Sequence, residues 1–355
     1  PILTPDLKQP LLGFGTYHLG QSQNTTAVVS LAIETGYRQI DGAAAYANEE
    51  AVGKGIAEGI LKAGLERGDV WITSKLPNNC HGDYDVVEAT LNKTLRDLGL
   101  EYLDLYLIHW PVASSSGKKK VDYIKVCLSS HRTNQPIFTF LSFHARIDFI
   151  VQTWTSMSKL PKSRVRNIGI SNFSPKQLHH LISETGVKPA AHQMELHPYL
   201  QQSSWVAAHH ALGISVTAYS PLGDANPDYR HSSSSSPSSS RFSSTLLRSF
   251  FSSKKKESPP PPPPLLQNNI LKEIAERRNC TVAQVALSWN IGRGASVIPK
   301  STHENWIKEN YESLECELGD IDLIHLEEVG VRYLTRFANP SKKWGVELFE
   351  GLDDA

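Results

Sequence analysis

The chain has 355 residues, with 36 lysine and arginine against 36 aspartate and glutamate, so its formal net charge is zero. That balance argues against a nucleic-acid binder, whose affinity comes from a basic excess. No run of about 18 apolar residues is present to span a bilayer, so no membrane partner is expected.

Residues 1–6 carry neither a basic nor an apolar leader, so no signal peptide is expected. Four widely spaced cysteines, Cys80, Cys127, Cys280 and Cys316, form no CxxC pair and are too few to staple so long a chain. The expectation is a reducing, cytoplasmic setting. Short β-branched or apolar runs then alternate with segments of helical period. Residues 11–15 read as a strand and 26–35 as a helix, with Ala27, Val28, Leu31 and Ala32 on one face. Strands at 37–41, 70–75 and 103–109 are followed by helices at 49–61, 83–98 and 148–160. A strand at 165–171 precedes a helix at 175–184, opened by Ser174 as N-cap and Pro175 at the first turn. Strands at 190–196 and 215–220 flank a helix at 201–212. Helices at 266–277 and 282–291, a strand at 295–300, and helices at 304–314 and 321–331 complete the series.

Eight strands, each followed by helix and apolar on both faces, imply one parallel (β/α)8 barrel over 1–355, an α/β fold of TIM-barrel type. The alternative is an open doubly wound sheet. Two stretches interrupt the rhythm. Residues 113–147 begin with SSSGKKK and show no clean period. Residues 224–264 are rich in serine and proline and include the run Pro259 to Pro264, which favours polyproline II. Both follow a strand (the fourth and the seventh), and so belong on the C-terminal face of a barrel, where chemistry is done.

The strand ends carry the chemistry. The second leads into Asp41 and Tyr46, the third ends at Lys75, and the fourth at His109 and Trp110. A barrel brings these ends to one mouth. A free phenol has a pKa of about 10, too high for a good acid at neutral pH. The Lys75 ammonium is expected to lower that of Tyr46, with Asp41 holding Lys75 protonated and aimed. His109 would then hydrogen-bond the substrate oxygen or the phenol. Such a phenol can protonate a carbonyl oxygen as hydride reaches the carbon.

The segments GFGTYHLG, IDGAAAYANEEAVGKGI, SKLP, LDLYLIHWP, NIGISNFS, AHQMELHPYLQQ, AYSPLG and IPKS resemble motifs of the aldo-keto reductase family. The ending PSKKWGVELFEGLDD resembles fungal members near glycerol dehydrogenases and aldehyde reductases. The resemblance implies a (β/α)8 barrel and NADPH-dependent carbonyl reduction, with NADH as a second candidate. It implies a catalytic tetrad of Asp41, Tyr46, Lys75 and His109, with Tyr46 as proton donor. It assigns Ser171, Asn172 and Gln193 to the nicotinamide carboxamide and Tyr219 to stacking on the ring. Ser220 and Leu222 fall to the pyrophosphate, and Gly15 and Thr16 to the nearby ribose. Lys300, Ser301 and Thr302 match the 2′-phosphate pocket, and Glu309 and Asn310 the adenine contacts. Tyr17 and Trp110 match the walls of the substrate pocket.

Two positions depart from the family pattern. Trp306 stands where an arginine usually pairs with the 2′-phosphate, so a weakened NADPH preference is expected. His192 stands where the family often has asparagine. A Schiff-base aldolase built on Lys75 is disfavoured by the Asp41 partner. A catalytically impaired nucleotide-binding barrel with a regulatory role is the remaining alternative. The pairs His179-His180 and His209-His210 read as solvated helix faces, and no metal is expected. The expected partner is a small carbonyl compound, and the expected state a monomer.

Overall fold

In the computed structural model, eight strands lie side by side in chain order in a single parallel sheet. The structure describes residues 4, 7–113, 143–223 and 262–349, so most of the two interrupting stretches lies outside the described residues. The strands are β1 (Phe14–Gly15), β2 (Gln39–Asp41), β3 (Trp71–Leu76), β4 (Leu103–Ile108), β5 (Val165–Ser171), β6 (Ala191–Glu195), β7 (Ser215–Tyr219) and β8 (Ser296–Val297). The first and last also meet. Gly13 N–H donates to the Val297 carbonyl at 2.8 Å, Val297 N–H to Leu11 at 2.9 Å, and Gly15 N–H to Pro299 at 3.0 Å. The sheet is therefore closed, and the open alternative falls. Strands β1 and β8 are shorter than expected from 11–15 and 295–300. Their flanking residues carry apolar side chains of strand type, but their backbone groups join only in isolated bonds along this seam.

The helices pack outside. They are α1 (Gln23–Thr35), α2 (Glu49–Ala63), α3 (Tyr84–Leu98), α4 (Phe143–Ser158), α5 (Pro175–Thr185), α6 (Ser203–Ala211), α7 (Asn269–Arg278), α8 (Val282–Gly292), α9 (Glu304–Tyr311), α10 (Asp320–Arg332) and the short α11 (Ser341–Trp344). Their starts follow local chemistry. The Ser22, Asp83, Ser174, Asn268 and Thr281 side chains each accept from a first-turn N–H that has no intrahelical partner. Gly64, Gly99 and Gly186 end α2, α3 and α5 in the left-handed conformation. No helix among the described residues is long and apolar enough to cross a membrane.

The main core lies between sheet and helices, where Ile40, Ile72, Tyr106 and Ile170 meet Val29, Ile56, Leu91, Trp154 and Leu178. Inside the cylinder, Leu105, Leu107 and Ala191 form an apolar layer. Polar side chains share the interior with it. There Gln9 donates to Thr217 at 3.0 Å, and Ser296 donates to the Pro10 carbonyl at 2.7 Å. Polar side chains are buried here because each finds a partner.

Two expectations are corrected. Cys280 and Cys316 are joined in a disulfide, with Cα atoms 6.0 Å apart. Spacing concealed this pair because 36 residues separate them and the barrel wall folds them together. His209 is fully buried, not solvated. His192 Nε2 accepts from the Phe173 N–H at 3.1 Å, which leaves its Nδ1 to donate to His209 Nε2 at 2.7 Å. His209 Nδ1 in turn donates to the Trp205 carbonyl at 2.7 Å. Burial pushes the His209 pKa down to about 4 and that of His192 well below its usual value. Both rings are thus neutral parts of the core.

Candidate active site

Alternation along a strand sorts the side chains. Ser74 on β3 points outward and donates to the buried Glu49 of α2 at 2.7 Å, while its neighbour Lys75 points into the barrel. The Lys75 ammonium is wholly buried. It donates to Asp41 Oδ1 at 2.5 Å, to the Gly42 carbonyl at 2.8 Å and to the Tyr46 hydroxyl at 3.4 Å. The second Asp41 oxygen accepts from Gln193 Nε2 at 2.7 Å, across the barrel on β6. Tyr46 sits on a 3-10 turn, Ala44–Tyr46, directly after β2. Its ring lies edge-on to His109 at 5.6 Å and against Tyr17 at 4.9 Å. The four side chains expected from the strand ends are therefore brought together.

The electrostatics differ from expectation in one respect. The Tyr46 pKa is pushed well above its usual value, not lowered. Protein packed around the ring disfavours a phenolate, and the charge of Asp41 adds to this. Burial also lowers the Lys75 pKa, against the opposing pull of Asp41. Burial, then the Lys75 charge, hold His109 well below its usual range, so its imidazole is neutral. The resting site thus holds a protonated phenol, with an ammonium behind it and a neutral imidazole beside it.

These groups floor a cleft of about 590 Å³. Of the expected residues, Gly15, Thr16, Tyr17, Asp41, Tyr46, His109, Trp110, Ser171, Asn172, Gln193, Tyr219, Ser220, Leu222 and Lys300 line it. Lys75 lies behind Tyr46 rather than on the wall. Asn172, at φ 65°, donates to the His109 carbonyl at 3.1 Å and to Ser171 at 3.0 Å. Its carbonyl oxygen accepts from the Tyr219 hydroxyl at 2.7 Å. This network sets an amide, a hydroxyl and an aromatic ring on one side of the mouth. Lys300 is half-buried and makes no hydrogen bond or ion pair among the described residues, and burial lowers its pKa. An unpaired, partly desolvated ammonium at a cleft edge suits an anion.

Ser301, Thr302, Trp306, Glu309 and Asn310 do not line the cleft but follow Lys300 in the chain, through the loop after β8 and along α9. The Trp306 ring is 55% exposed and lies 4.2 Å from the His303 ring. Glu309 accepts from the Thr281 hydroxyl at 2.7 Å, and Asn310 is buried. Sequence reading missed the opposite wall, built by Phe337, Ala338, Asn339, Pro340 and Trp344. Trp344 meets Trp110 edge-on at 5.1 Å. Its signal was aromatic side chains in a polar tail.

A model of the aldo/keto reductase family matches residues 11–330. The chain belongs to that family. It is 38% identical to an uncharacterized oxidoreductase of Schizosaccharomyces pombe over 98% of this chain and 92% of the relative. It is 35% identical to a D/L-glyceraldehyde reductase of Hypocrea jecorina, over 98% and 93%. Among solved structures, an aldo-keto reductase of Bombyx mori in complex with NADP superposes with a TM-score of 0.73 at 28% identity, covering 98% of this chain and 99% of that one. This aldo/keto reductase is therefore an oxidoreductase on a closed parallel barrel, with its polar cluster at the C-terminal ends of the strands.

Proposed function

We propose that this protein reduces aldehydes or ketones reversibly to alcohols with NADPH, Tyr46 supplying the proton. The observation that carries the reading is the Lys75 ammonium held between Asp41 and the Tyr46 hydroxyl at the floor of the cleft. The residues present fit a dinucleotide. Tyr219 offers a ring face and Ser171, Asn172 and Gln193 offer amide and hydroxyl groups. Lys300 offers an unpaired cation. When bound, the dinucleotide supplies hydride to the carbonyl carbon.

The chain's own part is positional and acid–base. Neutral His109 donates a hydrogen bond that holds the carbonyl oxygen near the Tyr46 hydroxyl. As negative charge develops there, the oxygen approaches an alkoxide, a far stronger base than the carbonyl it came from. That growing basicity is what draws the proton from the Tyr46 hydroxyl. Lys75 stabilises the phenolate left behind, and Asp41 balances Lys75. Tyr17 and Trp110 supply aromatic walls on either side of the Tyr46 and His109 rings. On the nucleotide side, Trp306 offers a ring but no charge, leaving Lys300 as the partner for a 2′-phosphate. Trp306→Arg should tighten NADPH more than NADH in fluorescence titration, and equal affinities before and after would remove that point.

Tyr46→Phe tests the assignment. It removes the acid but not the ring, so nucleotide binding should persist while turnover with an aldehyde falls by about 10²–10⁴. Undiminished NADPH oxidation in Tyr46→Phe would overturn it. Nucleotide binding by the parent with no turnover of any carbonyl would favour a regulatory barrel instead.

A further inference from the structure

We infer that Glu195 is a positioning residue that sets the substrate side of the cleft by gripping the segment 337–340. The inference rests on the proposed carbonyl reduction. Glu195 ends β6 and is fully buried, yet it does not line the cleft. Its Oε1 accepts from the Phe337 N–H at 2.7 Å and from His197 Nε2 at 2.9 Å. Its Oε2 accepts from the Ala338 N–H at 2.8 Å. Burial alone would raise the Glu195 pKa, but the His197 hydrogen bond, nearby Arg336 and the Phe337 N–H outweigh it and hold it below its usual value.

The geometry has a purpose beyond filling space. A buried carboxylate is costly unless its oxygens are satisfied, and an apolar side chain would pack a strand end at less cost. What the carboxylate adds is a pair of acceptors spaced to hold two successive amides. Those amides belong to a stretch with neither helix nor strand, between α10 and α11. Among the described residues the stretch is also held by Thr335 N–H to the Tyr199 carbonyl at 2.9 Å, by Arg336 to Gln202 at 3.4 Å and by the Phe337 ring 5.1 Å from that of His197. Phe337, Ala338, Asn339 and Pro340 all face the cleft. Their distance from Tyr46 and His109 is thus tied to a carboxylate that does not line the cleft. Loosening that grip should cost bulky carbonyl compounds the wall contacts that only they reach, and leave the proton transfer intact.

The test combines hydrogen exchange with kinetics on the full chain. In the wild type, the amides of Phe337 and Ala338 should exchange as slowly as those of the barrel strands, and free exchange there overturns the clamp even without a variant. In E195Q, an amide N–H₂ replaces one acceptor and faces a donor. Exchange at 337–338 should then rise about tenfold or more, with β5 and β7 unchanged. KM for a bulky aromatic aldehyde should rise about fivefold to tenfold, while kcat and the KM for a three-carbon aldehyde stay within about twofold. Equal losses on both substrates, or loosened amides with unaltered selectivity, would show a structural role only and overturn the inference. Absence of any carbonyl turnover in the wild type would instead sink the reading of the site, and this inference with it, whatever the exchange data show.

Discussion

Asp41 gives one oxygen to Lys75 and the other to Gln193, so its carboxylate cannot turn without breaking a buried bond. Lys75 is fixed by the same bond, and its ammonium is held toward the Tyr46 hydroxyl. The raised pKa of Tyr46 has a consequence for the pH profile. In the proposed role of Tyr46 as proton donor, reduction is lost as pH rises through that pKa, which lies above the usual phenol value of about 10. His109, lowered well below about 6.5, stays neutral as pH falls toward 6. The kcat/KM for reduction should therefore be level from about pH 6 to 9. A falling limb centred between pH 7 and 8 would contradict this and mark loss of the proton from Tyr46 or from Lys75, whose own pKa burial lowers. The four side chains themselves were legible, because strand ends of a barrel must converge. The direction of the shift was not. It depends on how much protein surrounds each group, and a list of charged neighbours in the sequence leaves that out.

Helix α2 shows how an element can be decided by what it lacks. A Cβ on Gly53 would stand 2.2 Å from the Leu98 carbonyl oxygen at the end of α3. That carbonyl has little room to retreat, since the turn beyond it is tied by the Gly99 N–H to Arg96 and Leu95. Alanine at this position gains up to about 1 kcal/mol of helix propensity, whereas overpacking costs about 1–3 kcal/mol. Gly53→Ala should therefore lower stability by about 1–2 kcal/mol in urea denaturation, and a rise in the midpoint would contradict the close contact. Most elements were readable from period and caps, as Ser174 and Pro175 at α5 illustrate. Helix α4 starts at Phe143 rather than at 148, because its first turn lies in a stretch without amphipathic period. The disulfide left no local mark. Closing a loop of 36 residues removes roughly 3–4 kcal/mol of unfolded-chain freedom in the loop-entropy account, through a contact that exists only once α8 and the turn after α9 are packed. The wall at 337–340 was hidden for the same reason, since its place depends on a carboxylate distant in sequence.

At the scale of the whole molecule, the cylinder is sealed by contacts between its first and last strands. The Ser296–Pro10 bond there spans 286 positions. Contacts of such separation form late, because the intervening chain must be ordered before they are rewarded. The seam is also where Gly15 meets Pro299, one residue before Lys300. A refolding chain can thus regain most of its helices while the proposed nucleotide cradle is still split in two. Return of NADPH oxidation should lag the return of far-ultraviolet circular dichroism after dilution from denaturant, and coincident traces would argue that the seam is made early. Enzymatic competence would then be a clock for the final annealing of the barrel: a population that looks native by its spectrum would still contain molecules whose first and last strands have not yet met.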